Sequence, residues 1–236
     1  MCIQRVECIK LDLRKSAFIT FEGPEGGGKT TQISQVVARL TDLGIPFVKI
    51  REPGGTPVGE YIRAILKDPN MKMTVEAELL LFQASRAELI KSVIQPALAR
   101  GEFVICDRFY HSTIAYQGYG RGMDIDVVRN AVNLATGGLE PDLVLVLDID
   151  YRTANSRTAN RAGDRFDDAP QDFHERVRKG FLELALNVPS KTNIEVIDAS
   201  QSKEKVTEDI WKVIEQRFVL PYSSQLFFRS KPLAEN

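Results

Sequence analysis

The stretch Gly23-Pro24-Glu25-Gly26-Gly27-Gly28-Lys29-Thr30 satisfies G-x-x-x-x-G-K-[ST] and narrows the folds open to this chain more than any other feature. It follows the apolar run "AFITF" (17–21) and opens a helical pattern from Lys29 to Leu43, which is the context its mechanism requires. Glycines let the backbone N–H groups converge on phosphate oxygens, and the helix N-terminus adds a partial positive charge. In such a loop the backbone of Gly23 to Gly28, with Thr31 behind it, cradles the phosphates of a nucleotide. Lys29 reaches the outer phosphates, and the hydroxyl of Thr30 suits a magnesium ion. Glu25 is the anomaly, because a carboxylate in a loop for polyanions needs both a ligand of its own and a compensating cation.

Short apolar runs alternate with longer stretches of helical period, the pattern of a mostly parallel sheet covered on both faces. "FVKI" (47–50), "FVICD" (103–107), "LVLVLD" (143–148) and "IEVID" (194–198) join the first run as five strands. A long helix is expected from Val75 to about Arg100 and a last one from Lys203 to Phe218. The expectation is an α/β, three-layer P-loop fold with a five-stranded parallel sheet flanked by helices. Residues 1–16 read as an N-terminal extension, 17–220 as the P-loop domain and 221–236 as a tail without clear period. The polar stretch "SRTANRAGDRFDDAP" (156–170) carries Arg157, Arg161 and Arg165, is broken by Gly163 and Pro170, and reads as a mobile lid.

Composition removes several function classes. With 31 basic and 32 acidic side chains the net charge is -1, so no global basic field draws the chain to nucleic acid or to an anionic membrane. Phosphate recognition is therefore local. The three cysteines, Cys2, Cys8 and Cys106, have no metal-ligand spacing and make no even disulfide framework, which points to a reducing, cytoplasmic setting. No apolar run approaches the ~20 residues of a membrane helix.

"FVICDR" resembles a Walker-B strand whose terminal Asp107 would complete the magnesium shell beside Thr30, with Asp148 as a second candidate. A guanine-specifying N-K-x-D motif is absent, which lowers a GTPase reading. A P-loop alone leaves a kinase, an ATPase and a nucleotide switch open.

Seven stretches in one order, "FEGPEGGGKTTQ", "REPGGTPVGE", "LLLFQASRAEL", "DRFYHSTIAYQGYGR", "DLVLVLDID", "SRTANRAGDRFD" and "VIDAS", resemble the thymidylate kinase family over about Phe18 to Phe218. The resemblance implies transfer of the γ-phosphoryl of ATP to dTMP with Mg2+, by a homodimer acting on small nucleotides. It implies that Glu25 binds the sugar 3'-hydroxyl, Phe82 stacks on thymine, Arg86 meets its O4 edge and Thr113 or Gln117 its N3 side. Tyr116 would lie under the sugar, and Arg51 and Arg108 would bind the acceptor phosphate. The P-loop carries no base of its own while the lid carries three arginines, as in the bacterial type. Arg161, then Arg165, are expected at the transferring group and Arg157 on the adenine side. Phe109 departs from the family, which often has tyrosine or histidine there, and His111 and His174 read as non-catalytic. The rivals are a kinase for another nucleoside monophosphate, a deoxynucleoside kinase that the paired arginines disfavour, and a switch with no acceptor pocket.

Overall fold

The computed structural model describes residues 12–13, 16–158, 166, 169–187 and 193–220. Five parallel strands form the sheet: β2 (Phe18–Glu22), β3 (Phe47–Arg51), β4 (Phe103–Asp107), β5 (Leu143–Asp148) and β6 (Asn193–Asp198), in the order β3-β4-β2-β5-β6. Each strand lies within a residue of the expected run; the central strands β2, β4 and β5 are nearly wholly buried, which is why they read as apolar runs, while the edge strands β3 and β6 admit Lys49 and Glu195. Residues 12–13, within the stretch set apart as an extension, form β1 (Asp12–Leu13) and pair antiparallel with β7 (Val219–Leu220).

The helices are α1 (Lys29–Asp42), α2 (Pro57–Lys67), α3 (Val75–Leu89), α4 (Gln95–Ala99), α5 (Tyr110–Thr113), α6 (Ile125–Thr136), α7 (Tyr151–Thr158), α8 (Gln171–Asn187) and α9 (Lys203–Phe218). On one face of the sheet Ile19 and Phe21 of β2 pack with Ile33 and Val36 of α1 and Ile210 of α9. On the other, Phe18, Val104 and Cys106 pack with Leu79 of α3 and Val128 of α6. The three expected layers are thus present.

The long helix expected from Val75 to Arg100 is not uniform. Between α3 and α4 the chain widens into a π-helical turn, Ile90–Ile94, and the Gln95 N–H donates to Ile90 O, five residues back. Pro96 explains it: proline has no N–H for the carbonyl four residues earlier, and its ring crowds that carbonyl. A second π turn, Ile114–Gly120, continues α5 and packs against α8. Contact is close because each partner offers a glycine: a Cβ on Gly120 would stand 2.7 Å from the Phe173 ring, and one on Gly180 2.8 Å from Tyr119. The lid stretch begins inside α7, which runs to Thr158.

Phe181 of α8 is 1% exposed and lies edge-on to Tyr116, with ring centroids 6.3 Å apart. Phe181→Ala is expected to destabilise the fold by about 3–5 kcal/mol through lost burial and a residual cavity, read from the midpoint of urea unfolding.

Candidate active site

β2 has β4 on one side and β5 on the other, so the chain's winding reverses beside it and leaves a crevice beyond the strand ends. The glycine loop leaves β2 into that crevice. Gly23, at φ 121°, takes a conformation that favours glycine, and a Cβ there would stand 2.4 Å from Leu147 O of β5. Gly26, at φ 74°, is pressed on α7, where a Cβ would lie 2.5 Å from Ala154 O. Two of the motif's glycines are therefore required by the backbone against which the loop folds.

Lys29 is buried, and its Nζ donates to Gly23 O (3.1 Å) and Pro24 O (2.8 Å) within the loop. Burial, with the nearby charge of Arg108, lowers its pKa to about 8, against the pull of Glu25, Asp107 and Glu22. Thr30, one residue on, donates to Asp107 Oδ2 at 3.4 Å, so the end of β4 and the start of α1 present a hydroxyl and a carboxylate side by side. Asp148, the second acidic candidate, is engaged by Arg178 through two bonds of 2.7 and 2.8 Å.

A cleft of about 660 Å³ gathers the glycine loop and most of the residues expected in the site. Glu25, Lys29, Thr30, Thr31 and Asp107 line it together with Phe82, Arg86, Arg108, Thr113, Tyr116 and Gln117. Arg51 and Arg157 also reach it. Arg157 donates to Ala199 O at 2.8 Å, which sets its guanidinium against the "VIDAS" turn. Arg161 and Arg165 lie outside the described residues.

The opening puzzle of Glu25 has a direct answer: Arg108 Nη2 donates to its Oε1 at 2.6 Å. Arg108 also donates through Nη2 to Tyr116 OH (3.3 Å) and through Nη1 to Gly23 O (3.0 Å) and Ser112 Oγ (3.0 Å), and its guanidinium lies 5.1 Å from the Tyr116 ring centre. One arginine thus ties the "DRF" segment to the glycine loop. Arg51 is half-exposed and paired with Glu60 at 2.8 Å, while the Gly55 N–H also donates to Glu60. Arg86 is fully buried, bound by Glu52 Oε2 (2.6 and 2.9 Å) and Gln83 Oε1 (2.7 Å). Gln117 donates to the buried Glu78 at 2.7 Å.

Four residues that sequence reasoning passed over belong to the same construction. Glu22, the last residue of β2, is fully buried and accepts from Phe109 N–H (2.8 Å) and Ser112 Oγ (2.5 Å). Burial raises its pKa to about 7, against the lowering effect of Ser112, Arg108 and Phe109. Glu52 holds Arg86, and Phe166, buried beside the cleft, sets its ring 6.1 Å from Phe82 and 6.0 Å from Tyr116. A signal for Glu22 existed: an acid in line with four residues of a wholly buried strand needs partners. Phe166 had none, since it sits in a polar stretch where only the arginines drew notice.

Phe109, the departure from the family, is fully buried and meets Phe18 edge-on at 4.9 Å. His111 is buried and stacked on Tyr110, with neither ring nitrogen hydrogen-bonded. No cluster of three or more His, Cys, Asp or Glu suited to a metal occurs among the described residues, and no described helix is long and apolar enough to cross a membrane.

A glycine loop at the switch point of a parallel sheet, with a buried lysine and a Thr–Asp pair beside it, defines the P-loop class of nucleotide-binding folds. The family model for thymidylate kinase matches residues 21–210. The chain is 43% identical over 206 residues to the thymidylate kinase of Deinococcus radiodurans, covering 87% of this chain and 99% of that protein. It is 47% identical over 205 residues to that of Pelotomaculum thermopropionicum (86% and 94% covered) and 45% identical over 205 residues to that of Finegoldia magna (86% and 100% covered). The chain belongs to the thymidylate kinase family.

His111 yields a pH prediction. Burial, and then the charge of Arg86, lower its pKa from 6.5 to about 3. The folded protein therefore binds fewer protons than the unfolded chain between these values, and stability is lost as pH falls through that window. His111→Phe is expected to flatten the fall of the urea midpoint between pH 6.5 and 4.5 relative to the parent; an unchanged slope would assign the acid sensitivity to other groups.

Proposed function

We infer that this protein is a kinase that transfers the γ-phosphoryl group of ATP to dTMP, giving dTDP and ADP, a step of nucleotide biosynthesis. The observation that carries this reading is that a single cleft joins the glycine loop, Lys29 and Thr30 to an aromatic and polar pocket large enough for a nucleotide acceptor. A switch or simple ATPase needs only the first half.

In this reading the backbone of Gly23 to Gly28 and the start of α1 hold the donor phosphates, and Lys29, already directed over the loop, meets their charge. Thr30 and Asp107 offer oxygen ligands suited to Mg2+, which is typically bound by one or two carboxylates with the substrate's phosphates and water. When bound, the ion neutralises charge on the donor phosphates. On the acceptor side Phe82 supplies an aromatic face, while Arg86, Thr113 and Gln117 supply fixed polar groups for the base edge. Glu52 and Gln83 already orient Arg86, so little ordering remains when base binds. Tyr116 takes the sugar's underside and Glu25 its 3'-hydroxyl.

Arg108 and Arg51 take the acceptor phosphate, for which a guanidinium offers paired donors. Arg161 and Arg165 act at the transferring group and Arg157 stands on the adenine side. Residues 156–170 serve as lid to a kinase domain spanning 17–220, with 1–16 and 221–236 as flanking segments. Positioning and electrostatics, with little covalent chemistry by the protein, supply the rate.

The working form proposed is a cytoplasmic homodimer with no nucleic-acid role. Support for the dimer lies in α2, α3 and α6, which pack side by side and leave Tyr61 (77%), Leu80 (63%) and Leu134 (87%) exposed. Tyr61→Glu with Leu80→Glu is expected to shift the mass measured by light scattering from two chains to one; an unshifted dimer would exclude this face.

The functional test is ADP release from ATP and magnesium with dTMP, dUMP, dCMP, dGMP or AMP offered singly. Release should depend chiefly on dTMP, and Lys29→Met should lower it ~10²–10³-fold. Release indifferent to every acceptor would overturn the reading.

A further inference from the structure

Arg108 has an unusual backbone. Its φ is 70°, the left-handed region that residues other than glycine seldom adopt, and such a conformation persists where the surroundings over-determine it. Its own N–H donates to Phe21 O at 2.9 Å, and Cys106 Sγ donates to its carbonyl at 2.9 Å. The residues that flank it on the other side, Phe109 and Ser112, are both held by one carboxylate, that of Glu22, whose Oε1 takes the Phe109 N–H and whose Oε2 takes the Ser112 hydroxyl.

The direction of these bonds matters. A serine hydroxyl has one proton and two lone pairs, and left to itself it can turn the proton toward any acceptor. With Glu22 ionised the proton goes to its carboxylate, so the lone pairs face Arg108, whose Nη1 donates to that oxygen at 3.0 Å. The result is a one-way chain, Arg108 to Ser112 to Glu22, on the side of the guanidinium opposite the Glu25 contact. Nη1 donates to Ser112 Oγ and Gly23 O, and Nη2 to Glu25 Oε1 and Tyr116 OH. The Nη1 end is anchored on Gly23 O and Ser112, and the Nη2 end on Glu25 and Tyr116, which line the cleft with Arg108.

We propose that Glu22 and Ser112 are positioning residues for Arg108: the buried carboxylate orients the hydroxyl of Ser112, at the wall of the cleft, and that hydroxyl acts through Arg108 by fixing the guanidinium for the acceptor phosphate. This rests on the assignment of Arg108 to that phosphate. It also accounts for an ionisable side chain in a strand whose other members, Phe18, Ile19, Thr20 and Phe21, carry no charge. A carboxylate so placed is unfavourable unless it is bonded, and both of its bonds lead to the segment that carries Arg108.

The test is a cycle of Ser112→Ala, Arg108→Ala and the double variant, with Ser112→Thr and Glu22→Gln beside it. KM for dTMP and for ATP is measured for each, along with thermal unfolding. Ser112→Ala should raise the KM for dTMP about tenfold, the worth of one charge-assisted hydrogen bond, and leave that for ATP within about twofold. Ser112→Thr, which keeps the hydroxyl, should restore most of the loss, and Glu22→Gln should shift the dTMP value in the same direction as Ser112→Ala. In the Arg108→Ala background, Ser112→Ala should have no further effect on dTMP. An unchanged KM for dTMP in Ser112→Ala, or an effect that multiplies undiminished with that of Arg108→Ala, would overturn the positioning role even if Glu22→Gln fails to fold. If Arg108→Ala by itself leaves dTMP use unchanged, the failure lies in the assignment of Arg108, and the positioning proposal falls with it.

Discussion

Hydrogen-bond register across three parallel strands sets the whole cleft. Phe21 of β2 lies opposite Asp107 of β4, and Asp107 lies opposite Arg51 of β3. On the other side Glu22 faces Val146 of β5. The strands therefore end at one level, and the loop after β2, the "DRF" segment after β4 and the "REPGG" turn after β3 all open on the same edge. A slip of two residues in β4 would carry Asp107 about 6.6 Å along the strand, beyond reach of Thr30. Two-sided burial opposes that slip, since Phe103 and Ile105 of β4 are buried in the cluster on one face of the sheet and Val104 and Cys106 in the cluster on the other.

Charge is the second constraint. The chain is close to neutral overall, yet Glu22, Lys29, Glu52 and Arg86 are each buried around the cleft, and Arg108 is only 15% exposed. Each is tolerated because it is bonded to a fixed partner: Lys29 to loop carbonyls, Arg86 to Glu52, Arg108 to Glu25 and, through Ser112, to Glu22. Removing one member of such a set leaves another charge buried without its counterpart, which is more harmful than losing an exposed pair. The same bonds hold the cationic groups in place before an anionic ligand arrives, which reduces what must be ordered on binding.

The sheet was legible because its signals are local. The buried central strands must be apolar, the edge strands are largely so, and the five runs match β2 to β6 with shifts of at most one residue. The glycine motif was legible for the same reason. Helix irregularity was less so: Pro96 announced a break, but the form it takes, a π turn with α4 continuing beyond it, depends on how α3 packs on α2 and α6. The stretch 114–120 carries no proline, and its π turn accompanies close packing of Gly120 on Phe173. By resemblance Glu25 read as a ligand of the sugar 3'-hydroxyl with its compensating cations in the lid; its bond to Arg108 was not legible, because Arg108 lies 83 residues away in the chain.

By itself the amino-acid sequence determined the strands, the phosphate loop and the family, since apolar runs and a contiguous motif act over a few residues. The tertiary structure decided which charges are neighbours. Glu22 and Glu25 come from one stretch and Arg108 and Ser112 from another, and their contacts exist because parallel pairing of β2 with β4 brings the ends of those strands side by side. Burial then decides what each carboxylate does: Glu25, partly exposed, faces the cleft, and Glu22, shut away from water, is bonded to the Phe109 N–H and the Ser112 hydroxyl.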